Sequence, residues 1–187
     1  MPTFPLPILP SQSWHNFGSE RTGQYKSAHP ACDLKVPAGT EIYAVADGVI
    51  IQGPYKFAEY AFNEPKCHSV TYAVEVKHEK AGFIARYCEI DLQLAIFLDV
   101  GSEVKEGQFL ACVGMQCGRE GPGSGSMLHF EMYKNYRNLG GLTDKNNTTY
   151  LYVPNAPYYR RSDLLDPTRY LDAWQANMPT PVEGIKI

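Results

Sequence analysis

Apolar and polar positions alternate over residues 70–78 (VTYAVEVKH) and 83–90 (FIARYCEI), with a short loop from Glu79 to Gly82 between them. A period of two marks strands with two unlike faces, so these stretches are predicted to pair as antiparallel neighbours. Two further apolar runs flank Asp47-Gly48 within residues 41–52 (EIYAVADGVIIQ), and Asp-Gly is a favoured two-residue turn, which predicts a β-hairpin there. Residues 54–69 then read as a long connection bordering a cleft. Residues 100–104 suggest a turn, 106–114 a buried strand and 127–133 another strand. Between the last two lies the glycine-rich run 118–126 (GREGPGSGS), which lacks the lysine and following helix of a phosphate-binding loop and reads as a mobile surface turn on the cleft rim.

The ends of the chain are less regular. Residues 1–28 are rich in Pro, Ser and Gly and read as an extended arm packing on the core through Phe4, Leu6, Ile8 and Trp14. Near the other end, Pro167 suits the first turn of a helix with Asp166 as its N-cap, so a short C-terminal helix is predicted, followed by a fraying tail over residues 176–187. The fold class is therefore mainly β, as one domain with long loops.

Composition narrows the function. At 187 residues, 44% hydrophobic and 20% charged, the chain suits a single core, and 13 Tyr with 8 Phe argue against disorder. A net charge of -3 gives no basic footprint for nucleic acid. No apolar run is long enough to enter and cross a bilayer, and the start, MPTFPLPILPSQSW, lacks a basic n-region and is broken by prolines, so neither a signal peptide nor membrane insertion is expected. Five cysteines without a Cys-x-x-Cys pair indicate neither a disulfide framework nor a zinc knuckle; they read as buried small hydrophobes, with Cys112 and Cys117 near enough in sequence to bridge in an oxidising compartment.

Candidate chemistry sits in three segments: His29-Pro30-Ala31-Cys32-Asp33, Arg86-Tyr87-Cys88-Glu89 and Met127-Leu128-His129-Phe130-Glu131. Strand parity places His129 and Glu131 on one face with Met127 and Tyr133, and places Tyr87 with Glu89, opposite Arg86 and Cys88. His29 and Asp33 would stand about 13 Å apart in extended chain, too far to share one ion, so a bend at Pro30-Ala31 is required. Two histidines and an aspartate with a fourth position open to water describe a catalytic zinc site. His15 and His68, taken singly, read as satisfied surface or core residues more readily than as ligands. His78, sharing a strand face with Val74 and Val76, is either a substrate contact or a packed imidazole, and Glu131 reads as a solvated strand residue more readily than as a partner that orients His129.

From His29 to Tyr133 these residues resemble the lysostaphin-type zinc endopeptidases, which cleave peptides of bacterial peptidoglycan. Pro37-Ala38-Gly39-Thr40, Ala44-Val45-Ala46-Asp47-Gly48-Val49 and the stretch from Val100 to Gln108 add to the match. The resemblance implies an antiparallel β-sheet crossed by a groove, spanning residues 29–175, and zinc (Zn2+) held by His29, Asp33 and His129. Two positions depart from the pattern: Met127 stands for the first histidine of His-x-His, and Tyr87-Cys88-Glu89 stands for Tyr-x-His. A thioether does no acid–base work at neutral pH, whereas a glutamate is a legitimate base for hydrolysis, so Glu89 is the expected general base, with Tyr87 or His78 assisting the oxyanion. The other reading is an inactive zinc-binding module that binds peptidoglycan. The expected partners are peptidoglycan peptides and a specific inhibitor (immunity) protein. The expected place of action is the periplasm or cell wall, after synthesis in the cytoplasm and delivery by another machine such as a secretion system or phage tail.

Overall fold

The computed structural model describes residues 2–21, 26–63, 66–92, 98–134, 141–151 and 156–180. In chain order its strands are β1 (Glu20–Arg21), β2 (Ser27–Ala28), β3 (Cys32–Lys35), β4 (Glu41–Tyr43), β5 (Gly48–Asn63), β6 (Lys66–His78) and β7 (Phe83–Ile90). There follow β8 (Glu103–Val104), β9 (Phe109–Cys112), β10 (Cys117–Gly118), β11 (Gly121–Pro122), β12 (Met127–Lys134) and β13 (Leu164–Leu165), then the helix α1 (Thr168–Trp174). The main sheet runs β13-β12-β7-β6-β5-β8, with β3 also paired to β12. All of its pairings are antiparallel. The fold is thus mainly β, as the alternation predicted.

Alternation decides where the core lies. Val74 and Val76 of β6, Ala85 and Tyr87 of β7, and Leu128, Phe130 and Met132 of β12 point to one side and are buried. They pack with Ile42, Leu110 and Ala111 of the small β4–β9 sheet, with Leu171 and Trp174 of α1, and with Phe4 and Leu6 from the N-terminal segment. A smaller cluster on the other side gathers Ile84, Tyr133, Leu142, Tyr158 and Leu164. Burial of each large side chain stabilises the fold by about 1.5–3 kcal/mol, so these residues are what makes the sheet a rigid platform.

Several expectations are corrected. Residues 41–52 do not form a hairpin: β4 pairs with β9, while β5 pairs with β6 and β8. The chain between them turns from one sheet into the other, because the buried Ala44 finds its partner outside any local turn, donating its N–H to the Gln108 carbonyl. Nor is 54–69 a connection, since β5 and β6 form a long ladder in which Ala58 faces Thr71 and Asn63 faces Lys66. The disulfide joins Cys67 to Cys117 with α-carbons 5.8 Å apart, leaving Cys112 free and buried with Cys32 and Cys88. At the helix, Pro167 already has helical angles (φ -72°, ψ -17°) and Asp166 Oδ1 accepts from the Thr168 N–H at 2.9 Å, so the anticipated cap operates one residue before the first regular turn. Residues 181–187 of the expected tail lie outside the described residues. No described helix is long and apolar enough to cross a membrane.

Candidate metal centre

The antiparallel pairing of β3 with β12 sets Asp33 directly opposite His129. His29 precedes β3, and a bend at Ala31 turns it back toward the same point. Asp33 Oδ1 lies 3.2 Å from His29 Nε2 and 3.0 Å from His129 Nδ1. The donor atoms of the three residues all fall within 4.8 Å of one another.

The second nitrogen of each ring fixes which nitrogen faces the carboxylate. His29 Nδ1 lies 3.1 Å from the Asn16 carbonyl, which can only accept, so that nitrogen carries the proton and Nε2 turns a lone pair toward Asp33. His29 Nε2 is buried without a hydrogen-bond partner. His129 Nε2 donates to Glu131 Oε1 at 2.9 Å, which leaves Nδ1 facing Asp33 Oδ1. His29 Nε2 and His129 Nδ1 thus converge on one carboxylate oxygen, where a cation could take the place of the proton that His129 otherwise shares with Asp33, and the same three donor types are those zinc prefers. The residues therefore fit the ion that the sequence implies. Burial would raise the Asp33 carboxyl, but the two imidazoles beside it, His129 and His29, hold it far below the usual carboxylate range when they carry charge. Burial works against a charged His129, yet Asp33 and Glu131 raise it above its ordinary value.

Asn16 secures two of the three residues at once. Its side-chain oxygen accepts from the Asp33 N–H at 3.0 Å, its amide donates to Asp33 Oδ2 at 3.2 Å, and its carbonyl receives His29. Sequence reading missed it because it stands alone in an aperiodic stretch. Glu131 corrects an expectation outright: it is fully buried rather than solvated. Besides His129 it accepts from Arg160 Nε at 3.0 Å, from Arg86 Nη1 at 3.2 Å and from the Tyr133 hydroxyl. Burial alone would raise its carboxyl, but Arg160 and Arg86 hold it well below the ordinary range. This saturation also makes a second nearby donor set, Cys88, His129 and Glu131, the poorer fit for an ion, since burial holds the Cys88 thiol protonated.

Glu89 reaches the site through a β-bulge. Its φ of 67° lies in the left-handed region, unusual for a residue other than glycine. The register to β6 shifts there, with Cys88 facing Ala73 and Ile90 facing Tyr72. The extra residue breaks the expected parity, so Glu89 parts from Tyr87 and joins Arg86 and Cys88 on the other face. Its carbonyl accepts the Gly114 N–H at 2.7 Å, an approach kept open because a Cβ at Gly114 would stand 3.1 Å from that oxygen. Its carboxylate accepts from the Tyr60 hydroxyl at 2.6 Å and from Thr71. With His129, Glu89 lines a cavity of about 430 Å³ whose wall includes Tyr55, Phe57 and Arg86.

Tyr87 and His78 lie on the opposite side of the sheet. The Tyr87 hydroxyl accepts the Val45 N–H at 3.0 Å and stands 3.4 Å from His78 Nε2, while His78 Nδ1 donates to the Asp47 carbonyl at 3.2 Å. Both residues are buried, and the anticipated help with an oxyanion is replaced by a role inside the core. Met127 faces Lys35 across β3, half-buried beside the metal centre.

The profile of peptidase family M23 matches residues 27–140. The chain belongs to peptidase family M23, the metallopeptidase family of the lysostaphin-type enzymes. Among solved structures, Csd3 of Helicobacter pylori is 19% identical, with 94% of this chain and 40% of that chain covered at a TM-score of 0.47. LytU is also 19% identical, with 87% of each chain covered and a TM-score of 0.49. Lysostaphin is 17% identical, with 93% of this chain and 63% of its own covered and a TM-score of 0.47. The chain thus spans less than half of the Csd3 chain it matches and nearly all of LytU. No curated protein matches the sequence.

Proposed function

We propose that this chain is a zinc-dependent endopeptidase that hydrolyses peptide bonds of bacterial peptidoglycan. The observation that carries the reading is the buried, unpartnered His29 Nε2 aimed with His129 Nδ1 at a single oxygen of Asp33. When bound there, zinc supplies Lewis acidity to the scissile carbonyl and acidity to water. Glu89 then takes a proton from the water that adds to the carbonyl carbon. It returns that proton to the nitrogen as the C–N bond breaks. A carboxylate has about four lone-pair sites, so acceptance from Tyr60 and Thr71 orients Glu89 and leaves other lone pairs free to meet a water. Glu131, Arg86 and Arg160 keep His129 in one orientation throughout.

A second reading, a metal-binding module without turnover, is favoured by Met127, which offers no proton chemistry where the family pattern has histidine. Incubation of the zinc-loaded protein with purified sacculi, followed by mass spectrometry of the muropeptides, separates the two. New peptide ends that disappear with Glu89→Gln support the enzyme, and zinc binding without new ends supports the module. The Cys67–Cys117 disulfide supports action in an oxidising compartment such as the periplasm or wall. We extend the proposal to delivery by another machine and to a specific inhibitor that protects the producing cell.

A further inference from the structure

The cavity beside the metal centre is lined by four cationic side chains, Arg21, Lys56, Arg86 and Arg160, and by one carboxylate, Glu89. Three of the cations already have counter-charges. Lys56 pairs with Glu59, Arg160 with Glu131, and Arg86 with both Glu131 and Glu75. Arg86 spends Nε on the Tyr55 hydroxyl at 2.7 Å and Nη1 on Glu131 and Thr143, while no group among the described residues accepts from its Nη2. Arg21 differs again: it is exposed and has no carboxylate partner among the described residues.

Arg21 is nonetheless not placed at random. Its strand pairs with β2 so that Arg21 faces Ser27 and Glu20 faces Ala28. The ladder continues into the metal centre, because the His29 N–H donates to the Ser19 carbonyl at 2.9 Å and the Gly18 N–H to the His29 carbonyl at 2.9 Å. The backbone that carries Arg21 is thus hydrogen-bonded to the backbone of a metal ligand. Its charge is also near enough to act on the Tyr60 phenol, which itself bonds Glu89. A guanidinium without a carboxylate partner among the described residues, lining a cavity that contains the candidate base and a ligand imidazole, is suited to receive an anion in a fixed relation to both.

We infer that the cavity selects peptides bearing a free carboxylate close to the scissile bond, with Arg21 as the residue that recognises it and Arg86 Nη2 as a further donor on the same wall. The inference rests on the endopeptidase reading for its substrate class, an acidic cell-wall peptide. The exposed carboxylate–guanidinium pair forms without desolvating a buried ion, so its contribution lies in orientation and selectivity more than in tight binding.

The test uses the full chain carrying Glu89→Gln and loaded with zinc, titrated by calorimetry with a stem tetrapeptide and with the same peptide amidated at every carboxyl group. The free acid is expected to bind about fivefold or more tightly than the amide, and Arg21→Gln to remove that difference while Arg21→Lys keeps part of it. Equal binding of acid and amide, an equal effect of Arg21→Gln on both, or no binding of either peptide overturns the inference. Digestion of sacculi by the protein with Glu89 intact is scored separately. Discrimination without new peptide ends defeats the endopeptidase reading and leaves the carboxylate site standing, whereas new ends without discrimination do the reverse.

Discussion

Glu131 holds His129 from two positions along the same strand, Oε1 to Nε2 at 2.9 Å, and so determines that Nδ1 is the nitrogen turned toward Asp33. The same carboxylate neutralises Arg86 and Arg160, which ties the orientation of a candidate metal ligand to a buried charge cluster. Glu131→Gln is expected to weaken zinc binding about 10–100-fold, read by competition with a chelator of known affinity. Glu131→Ala, which leaves two buried guanidinium groups without their shared partner, is expected to lose about 3–5 kcal/mol of stability in denaturant titration.

His29→Ala and His129→Ala each remove one of the three donors. Elemental analysis of the purified protein is expected to fall from about one zinc per chain to near none in either variant, while His15→Ala, at an exposed imidazole paired with Asp172, leaves it unchanged. A chelator is expected to lower the melting temperature of the unsubstituted protein, since an ion held at 100 times its dissociation constant stabilises by about 2.7 kcal/mol.

Glu89→Gln keeps an acceptor oxygen for one of the Tyr60 and Thr71 hydroxyls and offers its amide N–H to the other, which can rotate to accept, but it cannot take a proton. The expected loss of hydrolysis is about 10²–10⁴-fold with little change in melting temperature. Undiminished product in the muropeptide assay would remove Glu89 from the chemistry.

His78 provides a pH signature of the core. Burial depresses its pKa from 6.5 to about 4. Between these values the unfolded chain binds the proton that the folded chain refuses, so stability falls as pH drops from about 6.5 toward 4, by up to about 3 kcal/mol. His78→Gln is expected to flatten that part of the difference curve against the unsubstituted protein. Tyr87→Phe, which removes the hydroxyl between Val45 and His78, is expected to cost about 1 kcal/mol and to leave hydrolysis intact.

The Cys67–Cys117 bridge closes a loop with a sequence separation of 50. Chain-entropy arguments place its contribution at about 4 kcal/mol, so paired Cys67→Ala and Cys117→Ala substitutions are expected to lower the denaturant midpoint accordingly.

Much of this arrangement is legible in the chain because it depends on local periodicity. The alternation in 70–78, 83–90 and 127–133 identifies β6, β7 and β12, and parity alone puts His129 and Glu131 on the face away from Phe130. Parity fails at Glu89, where one inserted residue reverses the count, and nothing in the letters of FIARYCEI announces a left-handed φ. Asp47-Gly48 has the turn chemistry of a hairpin, but β4 and β5 are each drawn to distant partners, and non-local pairing outweighs local propensity. The long β5–β6 ladder is obscured by Gly53-Pro54 and by three shifts of register that interrupt the alternation. Proximity in sequence favoured Cys112 for Cys117, whereas the fold brings Cys67 alongside it. Asn16 and Arg21 carry no periodic or motif signal at all.

Asn16 has a practical consequence. The family profile begins at residue 27, and a truncated protein cut there would look complete by that criterion. It would nevertheless have discarded the amide that clasps the aspartate, the carbonyl that sets the tautomer of the first histidine, and the Phe4 and Leu6 plugs of the interior. Biochemists trimming this polypeptide should expect such a fragment to bind metal weakly and misfold, and should keep the opening segment attached.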